Sequence, residues 1–360
     1  MPDFESLTLD QKRLVYYLTE AALWGRDILW DQNYKYNLAI RDMLEGVYKN
    51  YKGDRSDAQY KAFEKYLKQV EFGNGIHHHY SMDKFVPEFT AEWLAAEVDK
   101  LPEGRWTPVR DEVFAAIFDP NVAPKRVNQA AGADLIVTSA NNLYDGVTQQ
   151  EVEDFYNALK KPDDATPVSY GLNSRVTKRD GKVVEQVYKL DGYYSEAIAH
   201  IVDNLTRAMA YAENEAQRDV IARLINFYTT GDLATFDDYS IRWAEDTASQ
   251  VDFINGFIES YGDPLGMTGS WESIVNFKNI PASRRTEILS SNAQWFEDHS
   301  PVDPRFRKEQ VKGVSAKVIT AAILAGDSYP STPIGINLPN ANWIRAAHGS
   351  KSVTLENITM

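Results

Sequence analysis

Two periodicities share this chain, and the switch between them is what most limits its fold. Over the first 70 residues apolar side chains recur every three or four positions. They are Leu14, Leu18 and Ala21, then Ile40, Met43, Leu44, Val47 and Tyr51, then Tyr60, Phe63, Leu67 and Val70. That spacing puts an apolar stripe on one face of successive helices. Thr8 with Gln11, and Thr148 with Glu151, have capping-box spacing, in which each side chain of the pair accepts from the other's backbone N–H. Gly53-Asp54 breaks the second run, Ser56 is placed to cap the helix after it, and Gly73-Asn74-Gly75 reads as a loop. Thr90 opens a short helix and Thr107-Pro108 another, which Asp119-Pro120 stops. From residue 174 to 189 the pattern turns β-rich on both sides of Asp180-Gly181. That dipeptide tolerates the positive φ values of a type I′ turn, so a hairpin is predicted. Helical spacing resumes from about Ser195 to Tyr228, with a break near Glu213-Asn214, and Pro281, Pro301 and Pro304 mark later loops. Pro333 to Pro339 is the last strand candidate. The expected class is α+β, helix-dominated, with a small β-barrel or sheet.

Composition closes off several functions. Cysteine is absent, which removes disulfides, thiolate metal sites and cysteine nucleophiles. Net charge is −14, from 52 acidic and 38 basic residues. Without a basic stripe to reverse it, that charge makes nucleic acid and anionic membrane poor partners; it could favour cationic ligands such as a peptide ammonium, but solubility alone accounts for it unless a site is shown. The longest apolar runs, such as Val318 to Ala325, are too short to span a bilayer. No basic-then-apolar leader opens the chain. A cytoplasmic location is expected, or a periplasmic one if a leader precedes Met1.

Six histidines are present, three of them consecutive at His77, His78 and His79. No two histidines stand four apart with an adjacent glutamate, the zincin arrangement. Adjacent residues point in different directions, so the triple run is expected to pack a loop or touch a ligand rather than chelate one ion. Neither a nucleophile elbow nor a phosphate-binding glycine loop is present.

Two segments carry a resemblance. Residues 251–266 contain Gly256-Phe257-Ile258-Glu259, then Tyr261, Asp263-Pro264 and Gly266. They are similar to the "GFIE-x-Y-x-DP-x-G" block of the dipeptidyl peptidase III family. Gly335-Ile336-Asn337-Leu338-Pro339-Asn340, followed by Ile344-Arg345, Gly349 and Ser352 to Leu355, resembles the "GIN-x-PN" block of that family and its sequel. Weaker matches at Tyr80–Pro87, Ser169–Arg175 and Val184–Lys189 fall in the same order. The likeness runs from about Thr8 to Leu355 and is greatest to Bacteroidetes-type members.

The resemblance implies a zinc metallopeptidase that releases dipeptides from peptide amino termini. In that family an H-E-x-x-G-H helix and a later glutamate hold zinc, beyond the "GIN-x-PN" strand. That motif is not among these 360 residues. The chain is therefore expected to be the substrate-binding part of the peptidase, holding no zinc itself and inactive alone, with the carboxy-terminal catalytic lobe as its missing partner. The alternative is a non-catalytic peptide-binding module or degenerate paralogue. By the same resemblance, Gly335, Ile336, Asn337 and Asn340 form an edge strand that grips an extended peptide. Bracketing prolines fit an edge, because proline cannot donate to a ladder, and a free strand edge binds any peptide backbone. Asp252 aligns with the carboxylate that meets the substrate ammonium, and Ile254 aligns with the family's transition-state tyrosine. Glu259 is shared with the family block, and a structural helix-face role reads at least as well for it as ligand contact. The expected organisation is a lower substrate-binding lobe over 1–272, a segment over 273–311 crossing to the helical zinc lobe, and a return over 312–360 carrying the edge strand. In that arrangement Ile274, Val275, Phe277, Ile288, Leu289 and Trp295 lack a partner surface.

Overall fold

The structure, a computed structural model, describes residues 3–311 and 314–359. Helix α1 (Leu9–Trp24) begins at Thr8, whose Oγ1 accepts from the Gln11 N–H at 3.3 Å, while Gln11 Oε1 accepts from the Thr8 N–H at 2.9 Å. The expected capping box is therefore formed. Helices α2 (Arg26–Asn33), α3 (Asn37–Asn50) and α4 (Ala58–Gly73) follow. Asp57, not Ser56, caps α4, its Oδ1 accepting from the Gln59 N–H at 2.8 Å. A carboxylate there answers both the free N–H groups and the helix dipole, and Ser56 donates to Asp54 instead. With α5 (Ala91–Val98) and α6 (Arg110–Phe118), these stripes converge on one core. Tyr60, Phe63, Tyr66 and Val70 meet Ile40, Met43, Leu44, Leu94 and Val98. Each such side chain contributes roughly 1.5–3 kcal/mol by leaving water.

A short strand β1 (Tyr144–Asp145) and helix α7 (Gln149–Leu159) precede the hairpin of β2 (Ser174–Arg179) and β3 (Lys182–Val187). Thr148 and Glu151 form the second capping box, on α7. Asp180 and Gly181 have φ of 50° and 75°, the two positive values that a type I′ turn needs. Three helices come next, α8 (Ser195–Met209), α9 (Glu215–Thr230) and α10 (Leu233–Glu245). The break expected near residue 213 is the α8–α9 junction, where Asn214 accepts from the Gln217 N–H at 2.9 Å.

The rest of the chain builds a larger sheet from β4 (Val251–Glu259), β5 (Ser270–Lys278), β6 (Val314–Gly326), β7 (Gly335–Leu338) and β8 (Ser350–Leu355). Helices α11 (Ile280–Ser291) and α12 (Ala293–Asp298) lie between β5 and β6, α13 (Asn342–His348) between β7 and β8, and α14 (Glu356–Thr359) after β8. The strand order is β4-β5-β6-β8-β7, all neighbours antiparallel except β6 and β8. α1 and α2 pack on this sheet, and α8, α9 and α10 share its core. The fit is close at Gly25, between α1 and α2, where any Cβ would collide with the buried Trp271 indole.

The crossing expected to start at residue 273 falls inside β5. Ile274, Val275 and Phe277 are fully buried, because β4 and β6 flank β5 on both sides. Apolar exposure starts only after the strand. Ile288, Leu289 and Trp295 are 65 %, 56 % and 55 % exposed, and Phe306 is also exposed. Among the described residues no helix is long and apolar enough to cross a membrane.

Candidate functional site

Strand β7 is the outermost strand of the sheet, bonded on one side only, to β8, through Gly335 opposite Thr354 and Asn337 opposite Ser352. Gly335, Ile336, Asn337 and Asn340 line a recess of about 570 Å³. Its other walls come from distant parts of the chain: Asn33, Asn74, His79 and Arg126 from the helical region, and Glu259, Tyr261, Glu272 and Asp327 from the sheet. Asn74 ties the two together, its Nδ2 donating to the Tyr329 carbonyl at 2.6 Å. Asn340 Nδ2 donates to the Ile258 carbonyl at 3.4 Å, and Asn337 Oδ1 accepts from Ser352 Oγ at 3.2 Å. An amide at each position keeps further donor and acceptor capacity for a ligand.

Three carboxyl groups set the charge of the recess. Glu272 is 6 % exposed, and while its backbone pairs with Gly256 and Gly326, its carboxyl has no hydrogen bond among the described residues. Burial pushes its pKa well above the ordinary carboxylate range, and Asp327 and Glu259 push the same way. Asp327 is also raised by burial and by Glu259, with Arg126 opposing. Arg126 itself is held by Asn33 Oδ1 at 2.5 Å and lies against the Met82 sulfur. Buried acids that repel one another stabilise a cation brought to them, here beside an Arg126 guanidinium that already offsets Asp327. Tyr261 stands at the rim, its phenol raised chiefly by Glu259.

The sequence-derived site residues divide between two places. Gly335, Ile336, Asn337 and Asn340 come together in the recess. Asp252 does not join them. Its side chain is buried beneath the sheet, where Oδ2 accepts from Lys351 Nζ at 2.9 Å and Oδ1 from the Trp243 indole N–H at 3.0 Å. The ammonium this carboxylate meets is the chain's own. Ile254 is buried on β4 and faces a separate cavity. Glu259 sits at the end of a strand, not on a helix face. Among the three consecutive histidines, His77 is buried with Nε2 2.8 Å from the Ala123 carbonyl oxygen. His78 Nδ1 accepts from the Tyr80 and Ser81 N–H groups, and only His79 lines the recess. Sequence reasoning passed over Glu272, Asp327 and Arg126. Glu272 left a weak signal, a lone acid beside Trp271 in a segment that also carries Ile274, Val275 and Phe277, and a strand buried on both faces tolerates a charge only for a reason.

The arrangement suits an extended peptide with a cationic end. A strand edge supplies backbone N–H and C=O groups regardless of side chain, and the acids supply an electrostatic end-stop. Among the described residues no three His, Asp or Glu side chains are grouped to hold a metal ion.

Comparison with known proteins points to one family. The sequence model described as Peptidase family M49 matches residues 140–360. Dipeptidyl peptidase 3 of Dictyostelium discoideum is 24 % identical over 387 residues, covering 99 % of this chain and 53 % of that protein. The human dipeptidyl peptidase 3 is 24 % identical with the same coverage. The rat protein is 31 % identical over 167 residues, 46 % of this chain and 22 % of its own length. Among solved structures, DPP III from Caldithrix abyssi superposes with a TM-score of 0.71 at 19 % identity, covering 99 % of this chain and 56 % of that one. The chain spans about half the length of the curated relatives that it matches end to end.

Proposed function

We propose, from the premise that this chain belongs to peptidase family M49, that it is the peptide-binding part of a dipeptidyl peptidase. The observation that carries the reading is the single-sided pairing of β7 beside a recess that holds Glu259, Glu272 and Asp327. A peptide would add as a strand to β7, with Asn337 and Asn340 beside its backbone and its ammonium toward the acids. Holding the amino terminus at a fixed distance along the edge is what lets an exopeptidase count residues. The family's zinc supplies the activated water for hydrolysis, and we assign that step to residues outside this chain. Binding, orientation and charge neutralisation are what these residues contribute. Cleavage by this chain alone is not expected.

The test is calorimetric titration of a tetrapeptide with a free amino end and of its amino-acetylated form. The free form should bind about ten- to a hundredfold tighter, as expected for a charge-assisted contact of roughly 1.5–3 kcal/mol. Glu259→Gln should remove most of that preference and leave the acetylated peptide nearly unchanged. Asp252→Asn should leave the preference intact, because its carboxylate already belongs to Lys351. Equal binding of the two peptides to the unaltered chain would sink the reading.

A further inference from the structure

A second cavity lies on the other side of Asn340, between α10, β4 and the turn that follows β7. Phe236, Trp243, Ile254, Ile258, Leu338 and Pro339 wall it, and its volume is about 60 Å³. Asp237 opens into it from α10. That side chain is 8 % exposed and has neither a hydrogen bond nor an ion pair among the described residues. Buried polar groups in folded proteins are nearly always satisfied, and this carboxyl, which no protein group satisfies, leaves its accepting capacity to whatever enters the cavity.

We propose that this cavity is a ligand site, distinct from the peptide recess, which takes the end of a primary alkylammonium with Asp237 as its counter-ion. A void of this size has room for about four waters at roughly 15 Å³ each, or for the four to six heavy atoms of a short amine. Its apolar walls favour the alkyl part over water. Ser169 and Ser240 border the same space, so two hydroxyl-bearing residues stand beside the carboxylate that an ammonium's donors would meet. An anion would face Asp237 with no cation to offset it, and a neutral alkyl group would leave the carboxyl unpaired. Burial, with a smaller push from Asp232, raises the Asp237 carboxyl to about 7. An entering cation would draw it back to the charged form.

The same chemistry is offered by a free amine and by a lysine side chain, so both are probed: n-butylammonium and Nα-acetyl-lysine methylamide, against neutral n-butanol. Binding is followed on isoleucine methyl NMR signals, which separate this cavity (Ile254, Ile258) from the peptide recess (Ile336). Butylammonium should shift the Ile254 and Ile258 methyls and bind at least tenfold tighter than butanol. Asp237→Asn should weaken butylammonium about tenfold and change butanol less than twofold. Should that variant fail to fold, the amine-to-alcohol ratio on the unaltered chain decides alone. Tighter binding of the lysine derivative identifies a peptide side chain as occupant, and weaker binding a free amine. Shifts confined to Ile336, or equal affinity for amine and alcohol, overturn the proposal.

Discussion

His77 shows how far one buried side chain can tie stability to pH. Its ring packs edge-on against Tyr34 and is almost wholly buried, and burial pushes its pKa down from 6.5 to about 4. Between those values the unfolded chain binds a proton that the fold excludes. The stability from the neutral ring is therefore complete above pH 6.5 and lost as pH falls toward 4. The full loss is about 3 kcal/mol. Urea unfolding measured across this window should show a slope against pH steeper by about one proton than in His77→Gln, and matching slopes would refute the assignment. The histidine run was visible in the sequence, but not which ring turns inward, because that is settled by a carbonyl 46 residues away at Ala123. Asp252 failed to reach the recess for a related reason. Its partner Lys351 lies 99 residues further on, and nothing local distinguishes a carboxylate awaiting a ligand from one already paired.

Among the elements, β7 was the easiest strand to place, since Pro333 and Pro339 confine it to an edge. The hairpin at Asp180-Gly181 was equally plain from its turn residues. Strands β4 and β5 were harder. Both are buried along nearly their whole length, so they lack the alternation that marks a half-exposed strand and read as easily as buried helix. The edge position of β7 carries its own prediction. If a peptide extends the sheet, its alternate amides donate to β7, and N-methylating one of them removes a donor worth about 1 kcal/mol. Affinity should fall roughly fivefold for methylation at ladder positions and stay within twofold at the positions between. Uniform effects along the peptide would argue against strand addition.

At the scale of the whole molecule, α11, α12 and the chain to residue 311 turn more large apolar side chains to solvent than the strand that precedes them. Ile288, Leu289, Trp295 and Phe306 face solvent, whereas the adjoining β5 is sealed on both sides. Amide exchange should therefore be on the order of 100-fold faster across residues 280–311 than in β5. Comparable protection in both would mean that the helices are held more firmly than their exposure indicates. The sequence foretold solvent-facing apolar residues here, through resemblance and not through periodicity, and it placed their start several residues too early. A different consequence follows from the bond between Asn74 and Tyr329, which joins positions 255 apart in sequence. The walls of the recess meet only after most of the chain has been made and its strands have paired. Contacts so distant form slowly because the intervening loop must close first. A nascent or half-refolded chain thus has nowhere to hold a peptide, and retention of one becomes a timestamp for the finished fold.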